Sequence, residues 1–180
     1  VQHRSAEDAV QLFNRLLDHV DACVARGIGI DPQLSNWMMI EGEPQLIDIS
    51  TPMLRDADGR DRLDTEFFVA LLPRMLQGVV RRFMVADLLE KNFDHRQIVL
   101  DLIGTMANYG LERLTKPFVT AANERLERPL TVREVERCRR EDTATWWVLR
   151  RAFAVEQWWR RRVTRAPSLH LVPAHFDRAH

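Results

Sequence analysis

Cysteine, lysine and tyrosine are scarce: the 180 residues contain two, two and one of them. Cys23 and Cys138 each sit alone inside a helical pattern, so there is no disulfide framework and no Cys/His zinc spacing. A reducing cytoplasm is the compartment expected. Long apolar runs are also missing. Stretches such as Phe67–Leu72 are far too short to cross a bilayer, and the N-terminus carries no secretory signal. Net charge is zero, which removes any global attraction to nucleic acid or to an anionic membrane, and neither partner is expected. No serine nucleophile elbow occurs. The charge that is present is uneven. Residues 1–111 carry 11 Lys and Arg against 17 Asp and Glu, a net of −6, and the remainder carries 15 against 9, a net of +6. Two solvated faces of opposite sign account for this, with a metal-holding acidic half as the sharper alternative.

Helical signals dominate. Ser5 and Asp8 form a capping-box start, and Val10, Phe13, Leu17, Val20 and Val24 recur at three- and four-residue spacing up to Gly27. The pattern predicts a helix over 5–26. Ile28 to Ser35 reads as a loop. Trp37–Ile40 and Gln45–Ile49 are short apolar runs joined by Glu41-Gly42-Glu43-Pro44, which predicts a β-hairpin. Ser50 to Asp64 reads as a polar loop with a turn at Asp58-Gly59. After Thr65 the chain reads as helix throughout. Pro73 interrupts the first helical stretch, and the next one runs over 79–91. Further helices are expected over 94–108, 115–127, 131–140 and 143–163. The segment 164–180 reads as a loose tail, and His170, His175 and His180 within it lack an element to fix metal-ligand geometry. The expected fold class is α+β and mainly α.

The chemistry-bearing stretch is Gly29-Ile-Asp31-Pro-Gln33-Leu-Ser-Asn36, continued through the hairpin to Ile47-Asp48-Ile49-Ser50. Asp31 precedes Asn36 by five residues at the mouth of the hairpin, and Asp48 ends the return strand. Folding the hairpin brings Asn36 and Asp48 to one end. A carboxylate finishing an apolar strand is costly to bury unless it is paired or metal-bound. The bland reading makes Asp31 an ordinary turn residue and Asn36 a satisfier of loop backbone.

With Asp-x-x-x-x-Asn placed between a long helix and a hairpin ending in Leu-Ile-Asp-Ile, residues 5–50 resemble the protein-kinase-like superfamily, including the aminoglycoside and small-molecule phosphotransferases. The resemblance implies a kinase-like C-terminal lobe over 1–163, with catalytic loop and hairpin at 27–50 and a helical remainder at 65–163. It implies Asp31 as catalytic base, Asn36 and Asp48 as Mg²⁺ ligands, ATP as phosphoryl donor and a small-molecule hydroxyl as acceptor. An N-terminal lobe in cis is expected as well, because no Gly-x-Gly-x-x-Gly is present and the two lysines, Lys91 and Lys116, both follow the catalytic loop.

The departures are specific. Gly29 stands where the family places His, Gln33 where protein kinases place Lys, and Ile49-Ser50 follow the metal aspartate in place of the usual glycine segment. They favour a small-molecule or divergent kinase, with a catalytically inactive kinase-like docking module as the alternative. A third option is a helical nucleic-acid-binding protein. It rests on Trp146, Trp147, Trp158 and Trp159 interleaved with Arg150, Arg151 and Arg160–Arg162. These tryptophans are expected in the core and the arginines on a solvated face.

Overall fold

A computed structural model describes residues 5–47, 53–56, 58–63, 66, 69–70, 77–78, 90–159 and 162, with the side chains of Trp146, Leu149, Glu156 and Gln157 excepted. The chain is α+β and mainly helical. It divides into two compact units, residues 1–63 with 86–142, and residues 64–85 with 143–180.

The first unit begins with α1, Ala6–Val24. Ser5 Oγ accepts from the Asp8 amide at 3.1 Å while Asp8 Oδ2 accepts from the Ser5 amide at 3.3 Å, so the capping box forms as expected. Ala9, Leu12, Phe13, Leu16, Leu17 and Val20 are buried. The buried stripe is therefore centred one position away from the sequence expectation, and Val10 and Val24 lie at its margins, half-buried. Gly27 closes the helix at φ +68°, the left-handed conformation that glycine adopts without strain.

Two small antiparallel pairings follow. Strand β1, Ile28–Gly29, pairs with β4, Met53–Leu54. Strand β2, Trp37–Ile40, pairs with β3, Glu43–Leu46, in the register Trp37↔Leu46 and Ile40↔Glu43. The hairpin expectation holds, but the link is two residues rather than four. Glu41 and Gly42 both have positive φ, 52° and 88°, which matches the strand twist and lets Glu43 and Pro44 join the ladder. The stretches read as loop, 28–35 and 50–64, each contribute one short strand. Two-residue strands leave no periodicity to detect.

Helix α2, His95–Met106, starts at Asp94, whose Oδ1 accepts from the Gln97 amide at 2.8 Å. Gly110, at φ +79°, turns the chain through 107–111 into a single turn at Glu112–Leu114. Helix α3, Thr115–Asn123, stops four residues short of the expected 127. Asn123 accepts from the Leu130 amide at 2.7 Å and donates to the Leu130 carbonyl at 3.0 Å, so its side chain clamps the loop instead of continuing the helix. Helix α4 runs unbroken over Val132–Trp159, where two helices were expected. Nothing between Arg140 and Thr143 breaks a helix, and the cap signal at Thr143 loses to propagation.

The core of this unit gathers α1, α2, α3 and the start of α4. Phe13 stacks on Phe118 with ring centroids 4.6 Å apart. A second cluster joins Val20, Ile30 and Ile98, with Trp37 and Leu46 against it. That cluster fastens the loop after β1 and the hairpin to the two helices.

The turn into α4 has an acid-sensitive clasp. Thr131 and Glu134 form the expected capping box, and Arg96 Nη2 donates to Glu134 Oε1 at 2.7 Å and to the Pro129 carbonyl, while Nε donates to the Arg128 carbonyl. The Arg96 hydrogen bond, then those from Thr131, pull the Glu134 pKa down to about 2. The folded state thus holds this carboxylate below its unfolded value. Its stabilisation is full above the unfolded pKa of 4.5 and is lost as pH falls from there towards 2. Urea unfolding at neutral and acid pH should show a loss of about 1–2 kcal/mol from this residue. Glu134→Gln should flatten that part of the slope, and an unchanged slope in the variant would refute the clasp.

In the second unit Val69 is buried, and residues 143–159 continue α4. The tryptophan expectation fails here. Trp147, Trp158 and Trp159 are 59%, 57% and 53% exposed. The expected cap at Thr65, most of the Phe67–Leu72 run, most of the 79–91 helix and the 164–180 tail lie outside the described residues.

Candidate functional site

The site grows out of Ile30. Its side chain is 1% exposed in the Val20–Ile98 cluster, and its amide donates to the Asn92 carbonyl at 2.9 Å. The backbone entering Asp31 is therefore held from both sides. Asp31 Oδ1 accepts from the Gln33 amide at 3.2 Å, an Asx turn that fixes the carboxylate at the head of the loop and lets Pro32 follow. The chain then makes one tight turn, Leu34–Asn36, and enters β2.

Asn36 closes this loop. It is the one polar side chain that is buried among the described residues, at 8% exposure. Its Nδ2 donates to the Asp31 carbonyl at 3.3 Å, tying the two ends of the loop together. Its Oδ1 takes a single long bond from Ser35 Oγ at 3.4 Å, which leaves acceptor capacity on that oxygen. Its backbone carbonyl accepts from the Ile47 amide at 2.8 Å. That bond extends the hairpin past its last ladder pair and sets the residue before Asp48 directly against Asn36. The structure thus brings Asp31 and Asn36 together and delivers the chain to Asp48, which itself lies outside the described residues.

Behind the loop, Gly29 marks a close approach of backbone and side chains. A Cβ at this position would meet Met53 Cβ at 2.9 Å and Phe93 Cζ and Cε1 at 3.0 and 3.1 Å. The β1–β4 pairing is too close for any side chain, so a histidine two residues before Asp31 has no room. Arg55 completes this wall. Its guanidinium lies 3.9 Å over the Phe93 ring and bonds Asp61 at 2.9 Å and Glu90 at 2.7 Å. Sequence reasoning passed over Arg55, because Glu90 and Phe93 are more than thirty positions away and no local pattern links them.

On the other side of α1, Arg125 Nη1 bonds Asp18 at 2.6 Å and Asp21 at 3.1 Å. His95 Nε2 also comes within 2.7 Å of Asp21 Oδ1 without hydrogen-bond alignment. Asp18 and Asp21 are thus engaged by Arg125.

Other chemistries find little support. Burial raises the Cys138 thiol pKa to about 12, helped by Asp101 Oδ1 at 3.0 Å, and burial raises Cys23 as well, so neither is a ready nucleophile. Among the described residues no three His, Cys, Asp or Glu side chains gather as a metal site. A shallow groove of about 480 Å³ on α1 and α3, lined by Val10, Asn14, Lys116, Pro117 and Thr120, shares no residue with the Asp31–Asn36 loop. It is open and carries no convergent set of catalytic groups, so the loop remains the better candidate. No described helix is long and apolar enough to cross a membrane.

The chain belongs to DUF6206, a family of unknown function, whose model matches residues 3–157. No curated protein and no solved structure matches it.

Proposed function

We propose that this member of DUF6206 carries the catalytic-loop lobe of a divergent kinase-like phosphotransferase that moves a phosphoryl group from ATP to a small-molecule hydroxyl. The observation that carries the reading is the placement of Asn36. It is buried, its side chain donates to the Asp31 backbone carbonyl and its own carbonyl accepts from the Ile47 amide, so the loop that holds Asp31 is closed on the start of the hairpin. A long helix, a loop holding Asp and Asn, and a two-stranded hairpin follow one another as the kinase resemblance requires.

Phosphoryl transfer asks a protein for positioning and electrostatics more than for covalent chemistry. Asp31 would orient the acceptor hydroxyl and take its proton, while the hydroxyl oxygen bonds to the transferred phosphorus and the bond to the leaving ADP oxygen breaks. Asn36 Oδ1 and the Asp48 carboxylate are hard oxygens of the kind magnesium accepts alongside phosphate and water, so the donor set fits that ion. Bound there, Mg²⁺ would neutralise charge on the phosphates. The Asx turn at Asp31 fixes the carboxylate at the head of the loop.

A second reading draws on the same geometry. Gly29 leaves no space for the side chain that the family places before the base, and Gln33 stands in place of the lysine of protein kinases. A kinase-shaped binding module without catalysis accommodates both. The test is ATP consumption by the full-length polypeptide across a panel of hydroxyl-bearing small molecules. Transfer should fall by about 10²-fold or more in Asp31→Asn with the fold intact, the size expected for a lost general base. Turnover unaffected by Asp31→Asn would refute its role. Binding of Mg²⁺ and ATP with no turnover on any acceptor would favour the binding module.

A further inference from the structure

We propose that the outward face of α4 between Trp147 and Trp159 docks on an anionic phospholipid surface, lying in the headgroup layer without crossing it. Trp147, Val148, Val155, Trp158 and Trp159 are each at least half exposed. At about 100° per residue they fall within an arc of about 120° on one side of the helix. Phe153, half-buried, points to the opposite side. Three of the chain's five tryptophans standing in water on one arc is more apolar surface than a solvated helix ordinarily shows.

Charge decides what covers it. Residues 143–162 hold Arg150, Arg151, Arg160, Arg161 and Arg162 against Glu156 alone, a local net of +4 inside a neutral chain. Arg151 lies within the aromatic arc, its guanidinium 5.3 Å from the Trp147 ring. This arginine at the centre of the stripe would face its own counterpart in a symmetric contact with a second copy, so self-association is disfavoured. An anionic headgroup layer meets every part of the pattern. Tryptophan prefers the boundary between headgroups and acyl chains, arginine pairs with phosphate, and the valines enter the acyl edge. Single-stranded nucleic acid would use the rings and arginines but finds no role for Val148 and Val155. No described helix can span a bilayer, so the helix would lie on the surface.

The test is co-sedimentation of the full chain with phosphatidylcholine vesicles, with and without phosphatidylserine, together with tryptophan emission. Partitioning should rise about tenfold or more with phosphatidylserine, weaken with salt and shift emission to the blue. The double variant Trp147→Ser with Trp158→Ser should lose most of it, and Arg151→Glu should lose the phosphatidylserine preference. Both changes are at exposed positions, and circular dichroism checks that the helix persists. No sedimentation with phosphatidylserine vesicles at low salt would overturn the proposal. Binding indifferent to these substitutions would overturn it too, as would binding to an oligonucleotide but not to vesicles.

Discussion

Replacing Gly29 by alanine will destabilise the first unit by about 1–3 kcal/mol, as forced overpacking does elsewhere. The added methyl would stand 2.9 Å from Met53 Cβ, an atom fixed to the paired strand that cannot rotate away, and about as close to the Phe93 ring. Relief would require β1 and β4 to part, and that movement would carry Ile30 and Asp31 with it. Gly104 supplies the control. It lies in the last turn of α2, and a Cβ there meets nothing within 4 Å. Gly104→Ala should therefore be neutral or stabilise by up to about 1 kcal/mol through helix propensity alone. Urea unfolding midpoints of the two variants separate these cases. Equal midpoints would show that the close approach at Gly29 is not real.

The second large effect is at the aromatic stack. Phe13 is fully buried and Phe118 is 2% exposed, with their rings inclined by 28°. Either residue changed to alanine should cost about 3–5 kcal/mol, because the transfer term and the cavity term add. The rings belong to α1 and α3, so the loss would loosen the helix that leads into the Asp31–Asn36 loop. In the double variant the two costs should fall short of their sum by about 0.5–1.5 kcal/mol, the coupling expected of a ring pair. Strict additivity would mean that the rings are not in contact.

Much of this was written locally. The Ser5 cap, the apolar spacing along α1, the hairpin around Gly42 and the Thr131–Glu134 box are each fixed by residues within four positions, and all of them form. What stayed illegible depends on distant partners. The β1–β4 pairing joins residues about 25 apart through two-residue strands, and Asn123 ends α3 by reaching Leu130. The tryptophans of α4 misled for a different reason. Composition reads tryptophan as core, whereas exposure is settled by which residues pack on each face of the helix, and no local pattern states that. At the candidate site, the five-residue spacing of Asp31 and Asn36 was readable, and so was the hairpin that follows. The burial of Asn36 and its two-sided bonding were not, because they require Ile47 to close back on it.

The proposed metal–nucleotide site is put to the test by calorimetry of ATP binding by the full-length polypeptide in the presence and absence of Mg²⁺. The expected result is Mg²⁺-dependent binding that Asp48→Ala abolishes while thermal unfolding of the variant stays close to that of the parent. No binding in the intact protein, or binding indifferent to both Mg²⁺ and Asp48, would contradict it.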